Sequence, residues 1–202
     1  HSDFFEGLVG VSGRYYHQLN PDAFGAQVIP FWEMVYHDCQ IAYGKYGYSA
    51  VNAGSYVAHH VLSARPLHYH SVPNHRYWQE IPTARPVKDA SAAFTRSDGG
   101  WAAGLHPTDV FLKNTHEILG PLHEATAHQR LNRFVFVTPD KTLQRAIYGE
   151  GNEAVEIVVN YGQDDILVPS HWGGDVVLPM FGFIIESPRF VAFYAKRWNG
   201  IE

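Results

Sequence analysis

The stretch VIPFWEMVYHD, residues 28–38, decides the predicted fold of this chain. It is an apolar run of strand length that contains one carboxylate, Glu33, and ends on His37 and Asp38. A strand that is apolar on both faces belongs in a covered parallel sheet, and the carboxyl end of such a strand is where α/β enzymes hold their chemical groups. The stretch therefore predicts one strand, residues 28–36, of an enzyme's barrel.

The composition is that of a globular protein with room for one large domain or two small ones. The chain has 202 residues, of which 46% are hydrophobic and 14% aromatic. A net charge of -5 with no basic run excludes an electrostatic footprint for nucleic acid or an anionic membrane surface. The apolar runs are too short for a transmembrane helix, and the single Cys39 leaves the cellular compartment undecided.

The predicted elements change in character near residue 133. Before it, an alternation of strands and helices indicates a βαβα unit, with strands over 28–36 and 66–72 and helices over 49–64 and 107–131. After it, short apolar runs separated by turn residues predict a hairpin over 133–138 and 143–148, then strands over 154–161, 165–168, 175–178, 182–186 and 189–196. We expect two domains, residues 1–132 and 133–202, the second a small antiparallel sandwich.

Alternation along the first strand predicts a polar site. Residues two apart share a strand face, so Glu33 and His37 point the same way, and a barrel lumen offers a carboxylate better partners than a packed helix does. His68 and His70 share a face of the next strand, and Asp38 directly follows the first. Such a cluster could bind several hydroxyls, hold a metal ion or exchange protons.

Other interpretations of these residues stay open. Glu33 and the histidines could be internal hydrogen-bonded groups that brace neighbouring strands. The segment His68-Tyr69-His70 matches the first half of a cupin metal-ligand set, but the spacing of the residues after it is wrong for that site. We therefore expect no metal and no cofactor.

Aromatic residues near the predicted strand ends favour a sugar ligand. Flat apolar sugar faces stack on aromatic rings while the hydroxyls take polar partners. Trp32 and Tyr69 are expected to bind substrate in this way, although such rings also fill protein cores. No Gly-rich phosphate loop, serine elbow or Cys-centred nucleophile pattern stands in the sequence.

Several phrases of the sequence resemble the C-terminal part of large glycoside hydrolases. They are VIPFWEMVYHDCQIAYGKYG, PLHYH, FLKNTHEILGPLHEATA, FVFVTPDKTLQRAIYG, VEIVVNYG and VLPMFGFIIESPRFVAFYA. They look like relatives of endo-α-N-acetylgalactosaminidases and α-N-acetylgalactosaminidases, in which a (β/α)8 barrel is followed by a β-sandwich. The resemblance implies an α/β part followed by an all-β part: the last strands and helices of the barrel over 1–132, and an antiparallel sandwich over 133–202.

The resemblance implies hydrolysis of glycosidic bonds in a carbohydrate substrate. A complete barrel takes about 250 residues, so we expect this chain to be a fragment that associates with the missing N-terminal part of the same enzyme. The catalytic carboxylate pair is expected in that part. Of the residues present, Asp38 is expected to act most directly, and Glu33, His37, His68 and His70 are expected to bind sugar hydroxyls.

Two alternatives come from other functional classes. A non-catalytic carbohydrate-binding or interaction module predicts a shallow aromatic platform on residues 133–202, with the strand-end polar groups buried and paired. A His-rich metal oxygenase is the third hypothesis, and it predicts a stoichiometric transition metal.

Overall fold

A computed structural model of the protein describes residues 30–39, 53–67, 94–96 and 100–201. Three α-helices lie in these ranges: α1 over Phe31–Tyr36, α2 over Ala53–Leu62 and α3 over Pro107–Thr126. Short 3-10 helices cover Gly100–Ala102 and Gly151–Glu153. Eight strands follow α3: β1 Leu131–Phe136, β2 Leu143–Tyr148, β3 Val155–Asn160, β4 Ile166–Pro169, β5 Asp175–Leu178, β6 Phe183–Glu186, β7 Val191–Tyr194 and β8 Arg197–Trp198.

The eight strands form two antiparallel sheets. The larger sheet has the order β1-β2-β3-β6-β7, and the smaller has the order β4-β5-β8. The predicted hairpin is confirmed as β1 and β2, whose register places Phe136 opposite Gln144. The other predicted strands after residue 150 are also confirmed, with bounds that agree to within two residues. The second half of the chain is therefore β-rich and antiparallel, as the sequence predicts.

The larger sheet buries apolar side chains on both of its faces. On one face, Ile157 and Phe183 belong to a core shared with α2 and α3, to which Val57 and Leu122 contribute. On the other face, Val158, Leu143 and Ile184 pack with Val168, Val176 and Leu178 of the smaller sheet. Successive residues of a strand point to opposite faces, so a continuous apolar run covers both. The result is three layers: helices, larger sheet and smaller sheet.

Residues 31–36 form helix α1, so the predicted strand over 28–36 is wrong at these positions. Pro30 O accepts the N–H of Met34 at 3.0 Å, and Glu33 stands in the first turn, where the helix dipole favours a carboxylate. Periodicity does not separate a short apolar run in a strand from one in a helix. Glu33 and His37 share a face in either case, because they are four residues apart.

The barrel part of the predicted fold is not seen in the described ranges. All strand pairs there are antiparallel, and the first described strand begins at Leu131. The predicted strand over 66–72 falls mostly outside the described residues, and Pro66 and Leu67 are in irregular backbone. The predicted helices over 49–64 and 107–131 are confirmed as α2 and α3. Helices and larger sheet share one core, and the domain boundary at 132/133 stays a prediction.

No helix among the described residues combines the length and the apolar character needed to cross a membrane.

Asn160 joins the ends of several strands at the edge of the core. Its side chain is fully buried, and Nδ2 donates to the carbonyl oxygens of Asp164, Leu178 and Pro179 at 2.8, 3.0 and 3.1 Å. Its Oδ1 accepts the N–H of Gly162 at 2.8 Å. These bonds connect the end of β3 to the β3–β4 and β5–β6 connections. Buried backbone carbonyls need such donors, so Asn160 stabilises both connections at once.

We expect N160D to lower the free energy of unfolding by about 3 kcal/mol, because the variant loses the amide donor and places a buried carboxyl group against three carbonyl oxygens. Urea unfolding measures this. The matched control is N132D, since the exposed Asn132 donates one bond, to Gly149 O at 2.7 Å. Its expected cost is below about 1 kcal/mol, and equal losses in the two variants would contradict the role given to Asn160.

Candidate functional site

His37 and Asp38 lie at the end of α1, where this helix contacts the junction between α3 and β1. The Nδ1 atom of His37 lies 2.9 Å from Gln129 O, and Nε of Arg130 donates to Asp38 Oδ2 at 2.8 Å. The His37 ring also packs on Tyr148 of β2, with 4.6 Å between the ring centroids. These contacts join parts of the chain that are 92 residues apart. They fix α1 against the larger sheet.

Glu33 lies at the opposite end of α1 and is buried. Its carboxylate forms an ion pair with Arg65, which follows α2 and is also buried. A buried charge is tolerated only when an opposite charge compensates it, so each of these residues stabilises the other in the interior. The pair therefore holds α1 against the segment after α2. In the same region, Tyr148 Oη donates to Leu62 O at 3.0 Å and links α2 to β2.

Burial and neighbouring charges shift the pKa values of three residues at the C-terminal end of α1. Burial lowers the pKa of His37, which favours the neutral imidazole. The hydrogen bond from Arg130 holds the pKa of Asp38 below its usual range, so this carboxylate is ionised at neutral pH and is no proton donor. The Asp38 carboxylate in turn raises the pKa of the exposed Cys39 thiol, which disfavours the nucleophilic thiolate.

The structure gives the predicted site residues different surroundings. Glu33 contacts Arg65, His37 contacts the backbones of Gln129 and Ala64, and Asp38 contacts Arg130. The backbone of Trp32 is in α1, and His68, Tyr69 and His70 lie outside the described residues. The substrate-binding and catalytic roles of all seven residues stay predictions. The observed contacts correspond to the bracing role that the sequence left open.

One cleft, of about 210 Å³, lies between the end of α3 and the β6–β7 turn. Its polar walls include Glu124, His128, Glu153 and Arg189, and Arg189 Nη2 lies 3.3 Å from Glu153 Oε2. The guanidinium is thus already neutralised across the rim. No Phe, Tyr or Trp is among the described residues that line this cleft, so it offers no stacking surface to a sugar.

A second polar cluster lies at one end of the two sheets. Glu156 of β3 and Glu186 of β6 are directly opposite in register. Arg145 Nε lies 2.9 Å from Glu156 Oε1, and His171 Nε2 lies 3.0 Å from Glu156 Oε2. Glu186 Oε1 accepts the hydroxyl of Ser170 at 2.5 Å and the backbone N–H of His171 at 2.9 Å. Two like charges on adjacent strands are costly, and these donors compensate them.

These partners anchor the tip of the β4–β5 hairpin, residues 170–174, to the larger sheet. The tip carries Trp172, whose side chain is 58% exposed. Sequence reasoning did not single out this residue. The signal was present in the phrase SHWGG, where a large apolar residue stands in a turn between two predicted strands. The described residues contain no group of three or more His, Cys, Asp or Glu side chains arranged to hold a metal ion.

His60 of α2 is a buried imidazole beside the Glu33–Arg65 pair. Its Nδ1 lies 3.2 Å from Arg65 O, an arrangement in which Nδ1–H donates to the carbonyl oxygen. Burial lowers the pKa of His60 from 6.5 to about 4. The unfolded chain therefore binds a proton on His60 at a higher pH than the folded chain does. His60 therefore leaves the free energy of unfolding unchanged above pH 6.5 and lowers it as the pH falls from 6.5 toward 4.

We expect the wild-type chain to lose about 2 kcal/mol more than H60N when the pH falls from 7 to 4.5, because Asn does not titrate but can still donate to Arg65 O. Urea unfolding at both pH values measures the difference. H116N, at an exposed position of α3, controls for the loss of a surface imidazole. An equal loss in H60N and wild type would show that His60 does not carry this pH dependence.

No family model matches the chain, and no curated protein matches it either. The resemblance to glycoside hydrolases stays a prediction.

Proposed function

We propose that the chain belongs to a glycoside hydrolase and that its described residues form a non-catalytic, carbohydrate-binding unit of that enzyme. One observation carries the proposal. Glu33 and Asp38 at α1 are each paired with an arginine of the same chain, while a large aromatic side chain of the β-rich part, Trp172, is exposed on an anchored turn. An arrangement of this kind suits recognition of a sugar surface better than chemistry at α1.

The contacts of α1 support the non-catalytic part of the proposal. Asp38 is held by Arg130 and is ionised, so it is unsuited to serve as the general acid that glycoside hydrolysis needs. Glu33 is neutralised by Arg65 and removed from solvent. The two carboxylates of α1 thus have structural partners. In this proposal the carboxylate pair that cleaves the glycosidic bond lies outside the described residues.

The helices and the larger sheet share one core, which supports a carbohydrate-binding unit that includes the helices. The helices and the larger sheet bury Val61, Phe111 and Ile185 together, and Tyr148 bonds to the end of α2. Layers that pack this closely keep nearly fixed positions relative to each other. A sugar bound on the β-rich part would therefore be held at a fixed place relative to the helical part.

We expect the chain to bind glycans with a Kd between about 1 µM and 1 mM and to release no 4-nitrophenol from 4-nitrophenyl glycosides. A glycan array followed by calorimetric titration of the best binder measures the affinity, and absorbance measures hydrolysis. Arrays with galacto-, gluco- and manno-configured and N-acetylated pyranosides cover the common sugar classes.

The variants D38N and R130Q test the structural assignment of the Asp38–Arg130 pair. Both are expected to bind the same glycan within about twofold of wild type, because this exposed ion pair contributes little to stability and touches no sugar. Hydrolysis by the wild-type chain that D38N abolishes would overturn the proposal. Failure of the wild-type chain to bind any glycan, beside a lectin that does bind, would also overturn it.

A further inference from the structure

Trp172 differs from the other exposed tryptophan of the described residues. Trp101 is 52% exposed, but Lys113 Nζ lies 4.3 Å from the centroid of its ring and occupies one face. No aromatic or cationic side chain of the described residues stacks on Trp172 in this way. The exposed indole of Trp172 therefore offers an apolar face on which a ligand ring can stack.

The turn that carries Trp172 is held in one conformation. The N–H of Ser170 donates to Gly174 O at 2.9 Å, and the N–H of Gly173 donates to Ser170 O at 3.1 Å. The Trp172 N–H donates to Ser170 Oγ at 3.2 Å, and Ser170 in turn donates to the buried Glu186. Gly174 has φ +78°, a backbone conformation that favours glycine. A preorganised turn loses little backbone entropy on binding.

Hydrogen-bonding groups stand next to the indole in the chain. His171 is exposed, and its Nε2 is committed to Glu156, which leaves Nδ1 for a ligand hydroxyl. Arg145 fixes the other oxygen of the same carboxylate. Glu156 and Glu186 together outnumber this one guanidinium, so the local charge disfavours an anionic ligand. Trp172 supplies an aromatic face and the neighbouring residue His171 supplies a hydrogen-bonding ring, and this combination fits a pyranose that has one C–H-rich face and hydroxyls at its edge.

We propose that the 170–174 tip is the carbohydrate site of this protein, with Trp172 stacking on an uncharged pyranose and His171 binding one of its hydroxyls. This inference rests on the proposed function and adds to it the place of binding and the class of sugar. The buried carboxylate Glu186 acts as a positioning residue, because it holds the hydroxyl of Ser170 and the N–H of His171 and touches no sugar.

The test compares single variants of the full chain against the best-binding neutral glycan of the array. W172A is expected to raise Kd by at least about tenfold, because the stacking surface is lost. W172F, which keeps an aromatic face, is expected to recover part of the affinity. W101A is the matched control, being the same substitution at a tryptophan of similar exposure, and is expected to bind as wild type does. Thermal unfolding checks that each variant is folded.

Glycan binding by W172A and the sugar preference of the wild-type chain distinguish the 170–174 site from the proposed function. Wild-type affinity in folded W172A, with glycan binding retained, would overturn the tip as the site and leave the proposed function standing. Preference of the wild-type chain for uronic-acid or sialylated glycans over neutral ones would overturn the class of sugar. Loss of glycan binding by W172A and not by W101A, with neutral sugars preferred, would support both parts.

The alternative partner of the exposed Trp172 ring is a second copy of the chain. Sedimentation velocity of wild type and W172A distinguishes it. If W172A abolishes self-association and leaves glycan affinity unchanged, Trp172 is a contact between copies and the sugar site is overturned. If wild type and W172A have the same sedimentation coefficient and W172A has lost glycan affinity, the sugar site is supported.

Discussion

Burial of both faces of β3 and β6 is the constraint on which the rest of the structure depends. Ile157 and Phe183 point to one side of the larger sheet, and Val158 and Ile184 point to the other. Each face must be removed from water, because each fully buried aliphatic side chain contributes about 1.5–3 kcal/mol to folding. The helices cover the face with Ile157 and Phe183, and the smaller sheet covers the face with Val158 and Ile184. The three-layer order follows from the central strands.

Polar residues lie at both ends of β3, on either side of the apolar contact between the two sheets. Asn160 lies at one end of β3 and saturates backbone carbonyls of two connections. Glu156 lies at the other end, opposite Glu186, and both are satisfied by donors from the smaller sheet's hairpin and from β2. Buried polar groups that are fully bonded fix one arrangement of their neighbours. The candidate sugar site thus depends on carboxylates that a ligand would not touch.

The predicted site at residues 33–38 depended on how one short apolar run was interpreted. The run VIPFWEMVYHD predicts a strand with a polar end, whereas residues 31–36 are a helix. The shared face of Glu33 and His37 does not depend on this choice, since a spacing of four residues fits both periods. Their partners do depend on it. Arg65, Gln129 and Arg130 are distant in sequence, and no local pattern identifies them as the partners.

The sequence by itself determined the β-rich second half, the hairpin of β1 and β2, and the helices α2 and α3, because alternation, helical spacing and turn residues are local signals. Only the tertiary structure decided which charges are paired inside the protein and which rings face water. The SHWGG turn was visible as a turn, but its anchoring through Glu186 was not. Pairing and exposure are set by contacts between distant segments, and a linear pattern carries no information on which of these form.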